Sequence, residues 1–197
     1  MAIHNIKKQK MKPARKSQII KKFMSDGSEA FIRYPKKKDF KDVLEILREW
    51  YKEREANGDK KNRRDLNDKN WWLLRIVAPK KKQAVTFILE FEGKARGIVD
   101  IKKNAEDYSH TAVLSIVFVA KKYRHKGFGK VLLQTAISEA RKILKVKLIT
   151  LEANADNIHA IKLYRNCGFQ KTGLIKRARF FCGKYVGRLT MVKYFSK

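Results

Sequence analysis

The clearest chemical signal in the chain is the run Val117-Phe118-Val119-Ala120-Lys121-Lys122-Tyr123-Arg124-His125-Lys126-Gly127-Phe128-Gly129-Lys130. An apolar, β-branched strand end leads into a turn spaced by Gly127 and Gly129 that opens an amphipathic helix. A helix start leaves several backbone N–H groups unpaired and carries partial positive charge, so it is suited to hold an anion. Glycines at the turn let a phosphate approach the backbone with no side chain in the way. Arg124, Lys126 and Lys130 add positive charge at the same spot. The chemistry expected here is pyrophosphate binding. A Walker loop does not fit, because Gly127 lies too close to Lys130 and Val131 stands where a Ser or Thr is needed. A dinucleotide fingerprint does not fit either, since Leu132 occupies the position of its third glycine. What remains is Arg-x-x-Gly-x-Gly, a pattern that a glycine-rich β-to-α turn of any α/β protein can also produce.

A second segment, Leu151-Glu152-Ala153-Asn154-Ala155-Asp156-Asn157-Ile158-His159-Ala160-Ile161-Lys162-Leu163-Tyr164-Arg165-Asn166-Cys167-Gly168-Phe169, separates these readings. It resembles the later motif of the Gcn5-related N-acetyltransferases, Asn-x-x-Ala-x-x-Leu-Tyr-x-x-x-Gly-Phe. Asn157, Ala160, Leu163, Tyr164, Gly168 and Phe169 fill every named position. The phosphate loop matches that family's Arg-x-x-Gly-x-Gly and precedes the second motif by one helix and one strand. The resemblance covers about residues 29–195, and within the family it looks closest to the ribosomal-protein N-terminal acetyltransferases. It implies an α/β fold with a mixed, mostly antiparallel sheet of six to seven strands flanked by about four helices. It also implies acetyl-CoA as co-substrate and an acetylated amine as product.

Site residues carry over position by position. By resemblance, Val117, Phe118 and Val119 would hydrogen-bond the pantetheine arm, and one of their amides would polarise the thioester carbonyl. Arg124, His125, Lys126, Gly127, Phe128, Gly129 and Lys130 would bind the pyrophosphate, and Asn157 would contact the cofactor. Tyr164 stands where the family places the acid for the leaving thiolate. Glu152 stands five residues before the motif Asn, where the ribosomal-protein subgroup places its proton acceptor. The alternative for Glu152 is a solvated or salt-bridged carboxylate at a strand end, and Asp156 is explained as a helix N-cap. The chemistry needs such groups. An amine of pKa about 8 to 10.4 must lose a proton to attack, an oxyanion needs a positioned donor, and a thiolate needs a proton source.

These groups must be positioned by elements that the sequence also marks. Residues 1–28 read as a basic tail, with Gln18–Met24 able to form a helical turn on a partner, and residues 29–197 read as the catalytic domain. Glu29–Tyr34 alternates as a strand. Asp39 caps a helix with Phe40, Val43, Leu44, Leu47, Trp50 and Tyr51 on one stripe. Glu53–Asn70 is a charged loop and Trp71–Val77 a helix. Strands are expected over Ala84–Phe91, Ala95–Lys102, Thr111–Ala120, Val146–Leu151, Phe169–Lys176 and Lys184–Lys193. Helices are expected after Gly129 and over Asn157–Asn166.

Composition sets the outer limits. The chain has 197 residues, 48 Lys+Arg against 19 Asp+Glu, and 44% hydrophobic residues. That is enough apolar surface for one core, which argues against a mainly disordered basic protein. No run of about 20 apolar residues suggests a membrane span, and the N-terminus lacks a signal-peptide core. Cys167 and Cys182 form no disulfide framework, so a reduced cytoplasmic setting is expected. His125 and His159 have no ligand spacing, and no metal is expected. Trp50, Trp71 and Trp72 read as packing residues more than as a substrate groove.

A net charge of +29 points to RNA or ribosome proximity, or alternatively to thermal or salt adaptation. Lys176, Arg177, Arg179 and Lys184 crowd the last hairpin, with Val186-Gly187-Arg188 where some relatives carry a carboxylate. A polyamine acceptor, which needs several carboxylates, is therefore disfavoured. The expected acceptor is a protein α-amino or lysine amine, on a monomer or dimer of the enzyme. A small-molecule or aminoacyl-tRNA amine is the alternative, and a non-catalytic acetyl-CoA or RNA binder the second alternative.

Overall fold

A computed structural model of the chain describes residues 19–56, 83–181 and 183–196. Eight strands form one sheet in the order β1-β2-β3-β4-β5-β6-β8-β7. They are β1 (Ile19–Ser25), β2 (Ser28–Arg33), β3 (Ala84–Phe91), β4 (Lys94–Lys103), β5 (Thr111–Val119), β6 (Leu148–Asn154), β7 (Gln170–Phe181) and β8 (Lys184–Tyr194). The helices among the described residues are α1 (Phe40–Ala56), α2 (Phe128–Leu144) and α3 (Ile158–Asn166), besides short 3-10 turns. Neighbouring strands are antiparallel except β5 and β6. The mixed, mostly antiparallel α/β architecture is the expected one. None of the described helices is long and apolar enough to cross a membrane.

Strand alternation divides the core between two faces. Phe87, Leu89, Phe91, Val99 and Ile101 face α2 in the larger cluster. Ile88, Ile98 and Phe118 pack against Val43, Ile46 and Leu47 of α1. Trp50 packs against this second cluster, as expected of a core residue. Arg33, at the end of β2, ties the α1 side to the sheet. It donates to both carboxylate oxygens of buried Asp39 at 2.7 and 2.8 Å, and its Nε donates to Glu90 at 2.6 Å.

Several boundaries differ from the sequence expectation. Ile19–Ser25 is a strand paired with β2 through an Asp26-Gly27 turn, so the sheet begins inside the segment read as tail. Ile20 and Phe23 pack on the main core, and this tertiary contact overrides the weak helical pattern. That strand raises the count from the expected six or seven to eight. Asp39 sits in a 3-10 turn before α1, accepting from Lys36 N at 2.6 Å and from Arg33, so it does more than cap. α1 continues to Ala56, into the stretch read as loop. The helix expected over Trp71–Val77 and the rest of that loop lie outside the described residues, as does Cys182.

Candidate active site

The opening of the sheet begins with hydrogen bonding between β5 and β6. These parallel strands pair over Thr111–Val113 against Leu148–Thr150 and then part. From Leu114 to Val119, β5 runs on with β4 alone as its strand neighbour among the described residues. The β4–β5 register slips by one at Ser115, since Asp100 faces Ile116 while Ile101 faces Leu114. Such a bulge bends a strand and re-aims its amides. Ala120 N donates to Arg96 O at 2.9 Å. By the two-residue alternation of an antiparallel ladder, Phe118 also turns its backbone toward β4, and Val117 and Val119 turn theirs toward the opening. The Phe118 ring lies in the α1 core, so of the three strand residues expected at the cofactor, Val117 and Val119 offer backbone groups. β5 approaches β4 closely here: a Cβ on Gly97 would lie 2.9 Å from the Phe118 carbonyl.

The glycine-spaced turn Arg124–Lys130 follows at the end of β5. Gly127 is the N-cap of α2 at φ 78°, a left-handed conformation that glycine adopts without strain, and it brings no side-chain cap. The first-turn amides of α2 are thus left without a side-chain acceptor from the N-cap. A Cβ on Gly129 would touch Leu163 at 3.7 Å and Val119 at 4.0 Å, so the end of β5, the start of α2 and the middle of α3 meet here. His125 is exposed at φ 66°.

Arg124 and Lys126 are less free than the sequence suggested. Arg124 Nε donates to Val119 O at 2.8 Å, its Nη2 donates to Glu53 at 2.8 Å, and its guanidinium lies 4.7 Å from the Phe118 ring centre. Arg124 therefore shapes the loop. Lys126 pairs with Asp26 of the β1–β2 turn, and that hydrogen bond pushes its pKa up. Lys130 is exposed. Glu49 and Glu53 on α1 were not singled out in the sequence, yet Glu49 accepts from Lys121 N at 2.6 Å and Glu53 holds Arg124. Both acids stand four apart on one helical face, a visible signal whose partners were not.

On the far wall, Asn157 is the N-cap of α3, its Oδ1 accepting from Ala160 N at 3.1 Å. The cap falls on Asn157, correcting its assignment to Asp156, which pairs with Lys184 at 3.1 Å. Tyr164 is half-buried against Phe169, with ring centres 6.0 Å apart. Its hydroxyl has no hydrogen-bond partner among the described residues, and burial pushes its pKa up to about 12. Glu152 is exposed on β6, opposite Thr190 of β8, and accepts from Arg188 Nε at 2.8 Å and from Arg188 Nη2, both on Oε2. Cys167 is buried, which pushes its thiol up.

These residues fit acetyl-CoA. An unpaired strand edge suits an amide-bearing arm, and a bare helix start with open space over Gly127 suits a pyrophosphate.

The acetyltransferase (GNAT) family model matches residues 40–169. A spermine/spermidine N(1)-acetyltransferase of Bacillus subtilis (strain 168) is 41% identical over 56 residues, 28% of this chain and 37% of that protein. The chain matches between 37% and 46% of the length of its curated relatives. A ribosomal-protein-alanine N-acetyltransferase from Brucella melitensis superposes with TM-score 0.67 at 26% identity, covering 83% of this chain and 99% of that one. A spermidine N-acetyltransferase from Vibrio cholerae, solved with CoA and spermine, shares the fold with TM-score 0.67 at 18% identity, covering 84% and 95%.

Proposed function

Because the chain belongs to the acetyltransferase (GNAT) family, we propose that it is an acetyl-CoA-dependent N-acetyltransferase that acetylates a protein α-amino or lysine amine by direct attack in a ternary complex. Acetyl-CoA supplies the acyl donor, a thioester carbonyl. Val117 offers its backbone groups and Val119 its N–H to the pantetheine arm, the Val119 carbonyl being held by Arg124, and an amide among them faces the developing oxyanion. The amides of Gly127, Phe128 and Gly129, with Lys130, hold the pyrophosphate. Asn157 uses Oδ1 as a cap and keeps its NH2 for the cofactor.

Tyr164, at about 12, stays protonated across the working pH range. Full proton transfer from it to a thiolate of ordinary pKa about 8.5 is uphill. Its role is therefore a hydrogen bond to the departing sulfur, with the proton released by the amine completing the neutralisation. Glu152 takes the earlier proton, the one an ammonium acceptor must lose before attack, directly or through water, and Arg188 fixes the orientation of its carboxylate.

The observation that carries the acceptor class is charge pairing at the mouth of the opening. Glu152 is paired with Arg188 and Asp156 with Lys184, so neither carboxylate offers surplus negative charge to a polycation. A polyamine is the second reading, favoured by the polyamine acetyltransferases among the relatives. One assay separates them: CoA release with peptides bearing free N-termini, lysine peptides, spermine and spermidine. Turnover with a peptide that exceeds spermidine at equal concentration supports the first reading, and the reverse order supports the second.

A further inference from the structure

Apart from Arg188 and Lys184, the β7–β8 hairpin carries a surface that the proposed reaction does not use. From Gln170 to Arg188 the sequence has six cations (Lys171, Lys176, Arg177, Arg179, Lys184 and Arg188) and no carboxylate. β7 is the terminal strand of the sheet, with one edge unpaired among the described residues. Its register against β8 breaks between Ile175 and Arg179, where Lys176, Arg177 and Ala178 stand opposite Gly187. Arg177 takes φ 50° there, and all three residues of the break are exposed. Next to the break, Phe180 and Tyr185 are cross-strand neighbours with ring centres 5.2 Å apart, 63% and 65% exposed. Ile175, where the break begins, is 64% exposed. Large exposed rings on an apolar strip cost solvation free energy unless something covers them.

We infer that this hairpin is a docking surface for single-stranded RNA. Cations along the strand break match a phosphate backbone, and the two rings offer stacking faces to unpaired bases. A second copy of this chain is a poor occupant, because it would bring the same cations and a net charge of +29 against them. Duplex nucleic acid keeps its bases stacked inward, whereas RNA presents unpaired bases in loops and ends. The hairpin also supplies Arg188, the partner of Glu152, so bound RNA would lie beside the acceptor side of the opening. That placement rests on the proposed reaction, but RNA binding itself does not.

The test uses the full chain and a fluorescent 12-nucleotide oligouridylate, read by anisotropy, with acetyl-CoA calorimetry as an independent control. The expected result is binding that falls steeply with salt. Phe180→Ala and Tyr185→Ala should each weaken it by about fivefold or more, and Lys176→Ala/Arg177→Ala should reduce the salt slope. All variants should keep wild-type acetyl-CoA affinity. Absence of RNA binding at low salt overturns the inference. So does binding that ignores both ring variants, because a diffuse charge effect then explains it. A hairpin-dependent dimer in sedimentation also overturns it. Loss of acetyl-CoA binding in the wild type would count against the proposed enzyme and not against the hairpin.

Discussion

Single side chains carry the proposed chemistry, and their surroundings define what removing each should do. Tyr164 sits half-buried with its phenol pushed up to about 12, so it is a permanent donor. Tyr164→Phe keeps the ring that packs on Phe169 and deletes the donor. We expect acetyl-CoA affinity within about twofold of wild type and turnover down by about 100-fold, the scale of a lost donor to charge developing in the transition state. Calorimetry and steady-state rates check the two halves separately. Glu152→Gln removes a proton acceptor while keeping a side chain that Arg188 can hold. Without the acceptor the reaction waits for the free amine, whose fraction rises with pH. The rate should fall most near neutrality and recover at higher pH, moving the optimum of the pH–rate profile in the alkaline direction. An unchanged profile would reduce Glu152 to the strand-end ion pair that its contact with Arg188 already explains.

Elements decide whether those side chains meet. The α2 start depends on Gly127 for its left-handed cap and on α1 for its brace, through Glu49 and Glu53. Gly129→Glu is the informative change, because a Cβ there meets Leu163 and Val119 at ordinary contact distance. An acid in the first turn also suits the helix dipole. Thermal stability should hold, while acetyl-CoA affinity drops by at least tenfold, since bulk and charge both oppose a pyrophosphate. The joint of α1 to the sheet is a different matter. Burial alone would raise the Asp39 pKa, but hydrogen bonds from Arg33 and Lys36 hold it below the ordinary value. Its stabilisation is complete above the unfolded pKa of about 3.9 and is lost as pH falls through the lower folded value. Asp39→Asn should cost about 3 kcal/mol at neutral pH, with the gap from wild type narrowing in strong acid. Urea unfolding at both pH values measures this.

The same elements explain what the sequence could and could not reveal. β3 to β5, α2, α3 and the closing hairpin were legible because their periodicity and glycine punctuation are local. So were the Gly127-Phe128-Gly129 turn and the Asn157–Phe169 segment as parts of the fold. β1 was not, because Ile19–Ser25 becomes a strand only by packing Ile20 and Phe23 against distant residues. The partners of Glu152, Arg124 and Lys126 were equally hidden: Arg188, Glu53 and Asp26 lie 36 to 100 positions away.

For the whole molecule, the net charge of +29 sets the long-range behaviour. An anionic co-substrate is steered toward such a surface, and salt screens the steering beyond about 10 Å at 0.1 M. Stopped-flow association with acetyl-CoA should therefore slow several-fold between low and high salt, with dissociation changing less.

The parting of β5 and β6 has one more consequence. Beyond Val113 the two strands part, and on the proposed reading acetyl-CoA fills the gap between them. Ligand at about 100 times its dissociation constant adds about 2.7 kcal/mol of stability. For a chain of this size that corresponds to a rise in melting temperature of about 5–10 °C. On that reading, the chain's resistance to heat and proteolysis becomes a gauge of the acetyl-CoA supply.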